Sequence, residues 1–198
     1  MRAGLLLPLA VLLAGCAAAP PSRVLPPPDP DALAGWTATG RLALAAGDEG
    51  GSGSFIWSQA GESARLQVRG PLGAGGLVIE TDGQSLRLVE GNGRIIDSES
   101  ARQELTRRLG TDLPLASLRY WMLGVPAPGS ESRVLPGRRP PLRVIEQSGW
   151  RVGIDEFRSV AGFSLPVRLT ATTDRARLKV VVSAWDLEPG AAGSGPRP

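Results

Sequence analysis

The sequence predicts a mainly β protein with inserted helices: one long antiparallel sheet, interrupted midway along the chain by two helices. Three observations carry this. From Trp36 onward, short runs alternate apolar with polar residues, the period-2 signature of a strand with one buried face. The runs are bounded by Gly, Asp or Asn, residues that punctuate strands. Glycine and proline are abundant, 26 and 18 in a chain of 198 residues, which fits many turns between short elements. That length is enough for one domain with its own core.

The strands follow in order. In GRLALA, Leu42 and Leu44 share a face opposite Arg41. SFIWSQ places Phe55 and Trp57 together, and ARLQVR sets Leu66 and Val68 against Arg65, Gln67 and Arg69. LVIE pairs Leu77 with Ile79, and SLRLVE pairs Leu86 with Leu88 around Arg87. Two windows then change period. SESARQELTRRLG has Ser100 and Gln103 at capping-box spacing, Leu105 and Leu109 on one face, Arg107 and Arg108 in its last turn, and Gly110 as a stop. LPLASLRYWMLG opens with Pro114, carries Leu115, Leu118, Trp121 and Met122 on a broad apolar stripe, and closes at Gly124. Residues 125–141 read as a Pro-rich loop. Alternation then returns in Trp150, Val152 and Ile154, in Val167, Leu169 and Ala171, and in Leu178, Val180 and Val182. A sheet of about ten strands curls. Helices that cover part of its concave side leave an apolar cavity.

The amino terminus reads as a targeting segment. Arg2 is followed by an apolar run, Leu5 to Leu13, too short to span a bilayer as a mature helix. It ends in Leu13-Ala14-Gly15-Cys16, which resembles the bacterial lipobox, and Cys16 is the one cysteine of the chain. Cleavage before Cys16 leaves it first, to be acylated. Three acyl chains, about 45 methylenes at about 0.8 kcal/mol each, anchor with roughly 36 kcal/mol. Position 17 is alanine, not the aspartate of inner-membrane retention, so the outer membrane is expected. The expected organisation is a signal peptide over 1–15, a lipidated Pro-rich linker over 16–31, a folded domain over 32–187 and a polar Gly/Pro-rich tail over 188–198.

Charge and chemistry exclude several classes. The formal charge is +3, Lys179 is the only lysine, and the arginines are scattered. A nucleic-acid binder wants a basic stripe, so no nucleic-acid partner is expected. There is no histidine, hence no Ser-His-Asp triad and no ordinary zinc site. No nucleophile elbow, phosphate loop or dinucleotide fingerprint is present. The remaining enzyme option is a carboxylate pair drawn from Asp97, Glu99, Asp112, Asp155 and Glu156. Each of these fits equally well as a solvated turn or helix-end charge. Neither an enzyme nor a cofactor is expected.

One turn stands out. In VRGPLGAGG, Leu72 lies between Pro71 and Gly73. Turns lie at the surface, and exposing a leucine forfeits about 1.5–3 kcal/mol.

Together, GRLAL…FIW, LQVRGPLG, DLPLASLRYWMLGVP, SGWRVGI, LPVRL and the terminal VVSAW resemble the LolB family of outer-membrane lipoprotein receptors. The resemblance runs from about Trp36 to Trp185, and its most specific parts are the Pro-Leu-Gly turn and the second helix. It implies an incomplete, half-open antiparallel β-barrel with a helical lid over an apolar cavity. It also implies binding and transfer: lipoproteins are accepted from the periplasmic carrier LolA and inserted into the outer membrane. The implied partners are that carrier, acylated lipoprotein cargo and outer-membrane lipids, with the receptor itself a monomer. Its exposed leucine maps onto Leu72, making Pro71, Leu72 and Gly73 a candidate membrane-targeting loop. The candidate acyl-chain cavity is Leu42, Leu44, Phe55, Trp57, Leu66, Val68, Leu77, Ile79, Leu86, Leu88, Trp121, Trp150, Val152 and Ile154. Each of these, taken alone, reads equally as plain core. A different class stays open, a structural outer-membrane lipoprotein that presents its sheet to a protein partner. A receptor keeps its pocket empty, whereas a structural subunit fills it with its own side chains.

Overall fold

The computed structural model describes residues 25–189 except 48, 71–74, 110, 112 and 113. The strands are β1 (Leu33–Ala46), β2 (Glu49–Ala60), β3 (Ser63–Arg69), β4 (Gly76–Thr81), β5 (Leu86–Glu90), β6 (Ile95–Asp97), β7 (Ser132–Pro136), β8 (Arg143–Gln147), β9 (Trp150–Val160), β10 (Phe163–Thr172) and β11 (Ala176–Pro189). Between β6 and β7 lie the helices α1 (Ser98–Leu109) and α2 (Leu115–Met122).

All eleven strands form one antiparallel sheet in the order β6-β5-β4-β3-β2-β1-β11-β10-β9-β8-β7. It is two meanders joined at the pairing of β1 with β11. The first meander ends at one edge of the sheet and the second begins at the other. The chain must therefore cross from edge to edge, and the helices are that crossing. The edges β6 and β7 do not pair with each other, so the barrel is incomplete. Curling is assisted by irregularities in register at Thr39/Gly40 on β1 and at Pro166/Arg168 on β10, since bulges bend and twist a strand. Gly40 shows how closely the strands approach: a Cβ there would stand 2.1 Å from the Val181 carbonyl oxygen and 3.0 Å from the Phe55 ring.

Two apolar clusters result. The larger joins Trp36, Trp57, Trp121, Trp150 and Ile154 with the inward faces of β9, β10 and β11. Trp36 contacts Trp57 and Trp185 at centroid separations of 5.4 and 5.3 Å. The smaller packs Ala101 and Leu105 of α1 onto Ile79, Leu86 and Leu88.

Several elements depart from the sequence reading. Helix α1 begins at Ser98, so Ser100 is inside the first turn and does not cap it. Pro114 occupies the N-cap of α2, and its carbonyl accepts from the Ser117 and Leu118 amides. The expected 125–141 loop contains β7, an exposed edge strand that carries Val134 at 45% exposure and ends in proline. Such a strand shows no buried face to read, and proline is tolerated at an edge. The linker region already belongs to the domain at its end: the Ser164 amide donates to the Pro26 carbonyl, Pro28 is fully buried, and Asp29 caps a short 3₁₀ turn over Pro30–Ala32. Strand β11 runs to Pro189, two residues past the expected domain end, because Glu188 and Pro189 pair with Gly35 and Leu33.

Helix α1 is tied to the β5–β6 hairpin by charge. Glu104 accepts from Arg107 at 2.9 and 3.0 Å and from Arg108 at 2.7 Å, while Arg108 also pairs with Glu90. The Arg107 and Arg108 hydrogen bonds hold the Glu104 carboxyl down from 4.5 to about 2, and Arg108 lowers Glu90 as well. A carboxylate whose folded-state pKa is depressed stabilises fully above its unfolded pKa and loses that stabilisation as the pH falls. Unfolding by urea is therefore expected to become easier as the pH drops from 4.5 toward 2. In Glu104→Gln this slope is expected to be shallower, and an identical slope would mean the cluster contributes nothing.

Candidate functional site

The concave face holds a cavity of about 170 Å³. Its walls come from β1 (Leu42, Leu44), β2 (Phe55, Trp57), β3 (Leu66, Val68), β4 (Leu77, Ile79), β9 (Trp150, Val152), β10 (Leu169, Ala171) and β11 (Leu178, Val180). Its roof comes from Leu105 of α1 and from Leu118, Trp121 and Met122 of α2. Every lining residue is apolar. The alternation of each strand explains this, because the register aligns the inward sets across neighbours. One row runs Leu44, Leu178, Ala171 and Val152; another runs Trp57, Leu66 and Ile79. The polar edges of two roof and wall tryptophans are taken up: Trp121 Nε1 donates to Gln147 at 2.9 Å and Trp57 Nε1 to Gln59 at 3.1 Å. An apolar cavity of this size offers water no polar partner on its walls and has room for hydrocarbon.

The lid is held at both ends. Arg119 on α2 donates to the Gly61 carbonyl in the β2–β3 turn at 2.6 Å and to the Tyr120 hydroxyl at 2.9 Å. At the other end the Gln147 side chain, 3% exposed, accepts from Trp121 Nε1 and the Ala127 amide and donates to the Ala127 carbonyl and to Ser130 Oγ. Arg143 adds a bond to the Gly124 carbonyl at 2.8 Å.

The walls are not equally buried. Leu42, Leu44, Val68, Leu77 and Leu178 are half-buried, whereas Phe55, Trp57, Trp150, Val152 and Ala171 are buried. The half-buried set marks the mouth. Val68 and Leu77 pair across β3 and β4 beside the 70–75 turn, whose base is closed by the Gly70 amide donating to the Gly75 carbonyl.

Eleven of the fourteen residues picked out in the sequence line this one cavity: Leu42, Leu44, Phe55, Trp57, Leu66, Val68, Leu77, Ile79, Trp121, Trp150 and Val152. Leu86, Leu88 and Ile154 lie elsewhere. Leu86 and Leu88 are covered by α1 in the smaller cluster, and Ile154 is fully buried in the larger one. Leu105, Leu118, Met122, Leu169, Ala171, Leu178 and Val180 complete the walls. Their periodicity is visible in the sequence, but only the strand register shows that they meet the others. Cys16, Pro71, Leu72 and Gly73 lie outside the described residues. None of the described carboxylates among the catalytic candidates lines the cavity. Asp97, Glu99 and Glu156 face Arg87, Arg102 and Arg168 at 3.4, 3.9 and 3.5 Å, Asp155 lies on β9, and Asp112 is outside the described residues.

The sequence profile described as "Outer membrane lipoprotein LolB" matches residues 34–185, nearly the whole sheet and both helices. The chain belongs to the LolB family. An outer-membrane lipoprotein LolB of Stutzerimonas stutzeri is 34% identical over 190 residues, covering 89% of this chain and 91% of that one. The LolB of Halorhodospira halophila is 36% identical over 155 residues, covering 77% and 76%. The crystal structure of a LolA superfamily protein from Nitrosomonas europaea is similar with a TM-score of 0.48 and 12% identity over 78% of this chain and 86% of that one. The LolB family places the chain among lipoprotein-localisation proteins.

Proposed function

We propose that this chain is an outer-membrane receptor, anchored through an acylated Cys16, that takes lipoproteins from a LolA-type carrier and passes them into the outer membrane. The observation that carries this is the cavity under the helical lid, lined by apolar side chains and not filled by them. The chemistry of transfer requires such a space. An acyl chain of about 15 methylenes costs about 12 kcal/mol to expose to water at 0.8 kcal/mol each, so cargo must pass from one apolar cavity to another.

The cavity at about 170 Å³ has room for a benzene-sized group, far less than one acyl chain. Uptake therefore requires the lid to yield. Most of the roof is the two-turn helix α2, and the edges β6 and β7 do not pair with each other, so opening need not break the ladder. No covalent chemistry is involved. The test is direct: the purified lipoprotein, mixed with a carrier loaded with acylated cargo, is expected to take up the cargo. Cargo that stays on the carrier would overturn the proposal.

On this reading the 70–75 turn, next to the cavity mouth, brings that mouth against lipid. Leu72 regains most of the about 1.5–3 kcal/mol of its exposure by entering the outer part of the bilayer. That energy is too small to anchor the protein but enough to bias its orientation. Leu72→Glu is expected to fold normally, to accept cargo from the carrier at the wild-type level, and to release it into vesicles roughly tenfold more slowly; Leu72→Ala should be milder. Insertion rates measured with labelled cargo decide this, and an unchanged rate for a stable Leu72→Glu protein removes the loop from the mechanism.

A further inference from the structure

The outward face of the sheet carries a group of cations that cargo binding does not use. Arg41 on β1 and Arg69 on β3 both lie opposite Ser54 of β2, one on either side. Lys179 and Arg177 on β11 lie opposite Ala43 and Ala45 of β1. All four are exposed, and none has an ion pair or side-chain hydrogen bond among the described residues. Neighbouring arginines on the same face are neutralised: Arg168 faces Glu156 and Arg65 pairs with Glu80. The strand between Arg41 and Arg69 runs Gly50-Gly51-Ser52-Gly53-Ser54, so this segment sets no bulky side chain between the charges. Val181, 43% exposed and opposite Arg41, adds apolar surface among them. Charge is also polarised along β11, with Arg177 and Lys179 near its start and the exposed Asp186 and Glu188 near its end. The cationic end is the end at which β3 leads into the 70–75 turn.

We infer that this face is a docking surface for the anionic headgroups of a membrane leaflet. The inference rests on the outer-membrane placement proposed above and adds a lipid class to it. A cation held at an anionic leaflet gains about 1 kcal/mol, about fivefold in the docked-to-undocked ratio. Four on one face act together, and the acidic end of β11 is repelled, so the attraction also orients the domain. It sets the 70–75 end, and the cavity mouth beside it, toward the lipid. Because the charges are exposed, salt screens them over a distance of about 10 Å at 0.1 M and about 3 Å at 1 M.

The test uses the acylated protein reconstituted in vesicles. Acylation consumes the sulfur of the only native cysteine, so Ser52→Cys provides one free thiol within the face for a fluorophore, and Ser159→Cys provides one near the far end as a control. Quenching by a headgroup-labelled lipid is compared in phosphatidylcholine vesicles and in equal mixtures of phosphatidylcholine and phosphatidylglycerol. The dye at position 52 is expected to be quenched more strongly in the anionic vesicles, the excess to vanish at 1 M salt, and the dye at 159 to show none. In Arg41→Gln/Lys179→Gln the docked-to-undocked ratio is expected to fall roughly 25-fold, with cargo uptake from the carrier unchanged. Equal quenching in both vesicle types, or quenching that survives the double substitution, overturns the inference. Loss of cargo uptake with quenching unchanged assigns the face to the carrier protein and overturns it as well. Docking by a wild-type protein that never accepts cargo would remove the receptor function and leave the docking surface standing.

Discussion

Ala171→Phe is expected to abolish uptake of a fluorescent long-chain acyl probe while leaving the fold intact. Ala171 is 1% exposed, lies on β10 between Leu178 and Val152, and its methyl group forms part of the cavity wall. A phenyl ring there occupies space that the native protein leaves empty. Overpacking a filled core costs about 1–3 kcal/mol, but filling a void restores contacts that its lining lacks, so the melting temperature should move by no more than a few degrees. Probe affinity should fall by more than tenfold. The same region tested by charge gives a second measure. Leu66 is half-buried between Trp57 and Ile79, and in Leu66→Glu an ionised carboxylate enters an apolar wall, which is costly without a partner. Probe binding should then drop at least a hundredfold. Ala171→Phe also separates receptor from structural subunit. A folded variant that binds the probe as tightly as wild type would mean that acyl chains do not use this cavity.

The second large effect is expected at Gln147. Among the described residues its side chain is the only group that satisfies Trp121 Nε1, and it also serves both backbone polar groups of Ala127. Gln147→Leu keeps the volume and removes every bond. Each buried donor or acceptor left unpaired costs about 1–3 kcal/mol, so three of them cost about 3–9 kcal/mol, a large share of the usual 5–15 kcal/mol. Urea denaturation should show that loss as a lower midpoint with little change in slope. The clamp also fixes the carboxyl end of the lid, so exchange of bound acyl probe should accelerate in the fraction that remains folded. A loss below about 1 kcal/mol would mean that water replaces the glutamine.

What the sequence makes legible is the inward set of each strand. Leu66 with Val68, Trp150 with Val152, and Leu42 with Leu44 follow from period-2 alternation alone, and all of them face the cavity. Which inward residues remain uncovered depends on where the crossing chain lies. Leu88 shares a register row with Ile79 and Leu66, yet α1 sits on Leu88 and leaves Leu66 at the cavity. No local pattern encodes that. The roles of Leu169, Ala171, Leu178 and Val180 require the pairing of β1 with β11, whose residues are more than a hundred positions apart in the chain. Edge strands β6 and β7 are illegible for a different reason: they bury too little to select apolar residues. The docking of Pro26 and Pro28 is hidden because proline-rich composition reads as a spacer whether or not one end of it packs.

The hydrogen bond from Ser164 to Pro26 fixes where the tether joins the domain. That junction lies by the β9–β10 turn, at the opposite strand end from the 70–75 turn beside the cavity mouth. Pro26 is ten chain steps from Cys16, so the anchor proposed at Cys16 would keep that junction within at most about 36 Å of the bilayer. The tether's length would then act as a ruler: cutting several residues from it is expected to leave the domain folded and able to take up cargo, while drawing the end opposite the mouth toward the membrane.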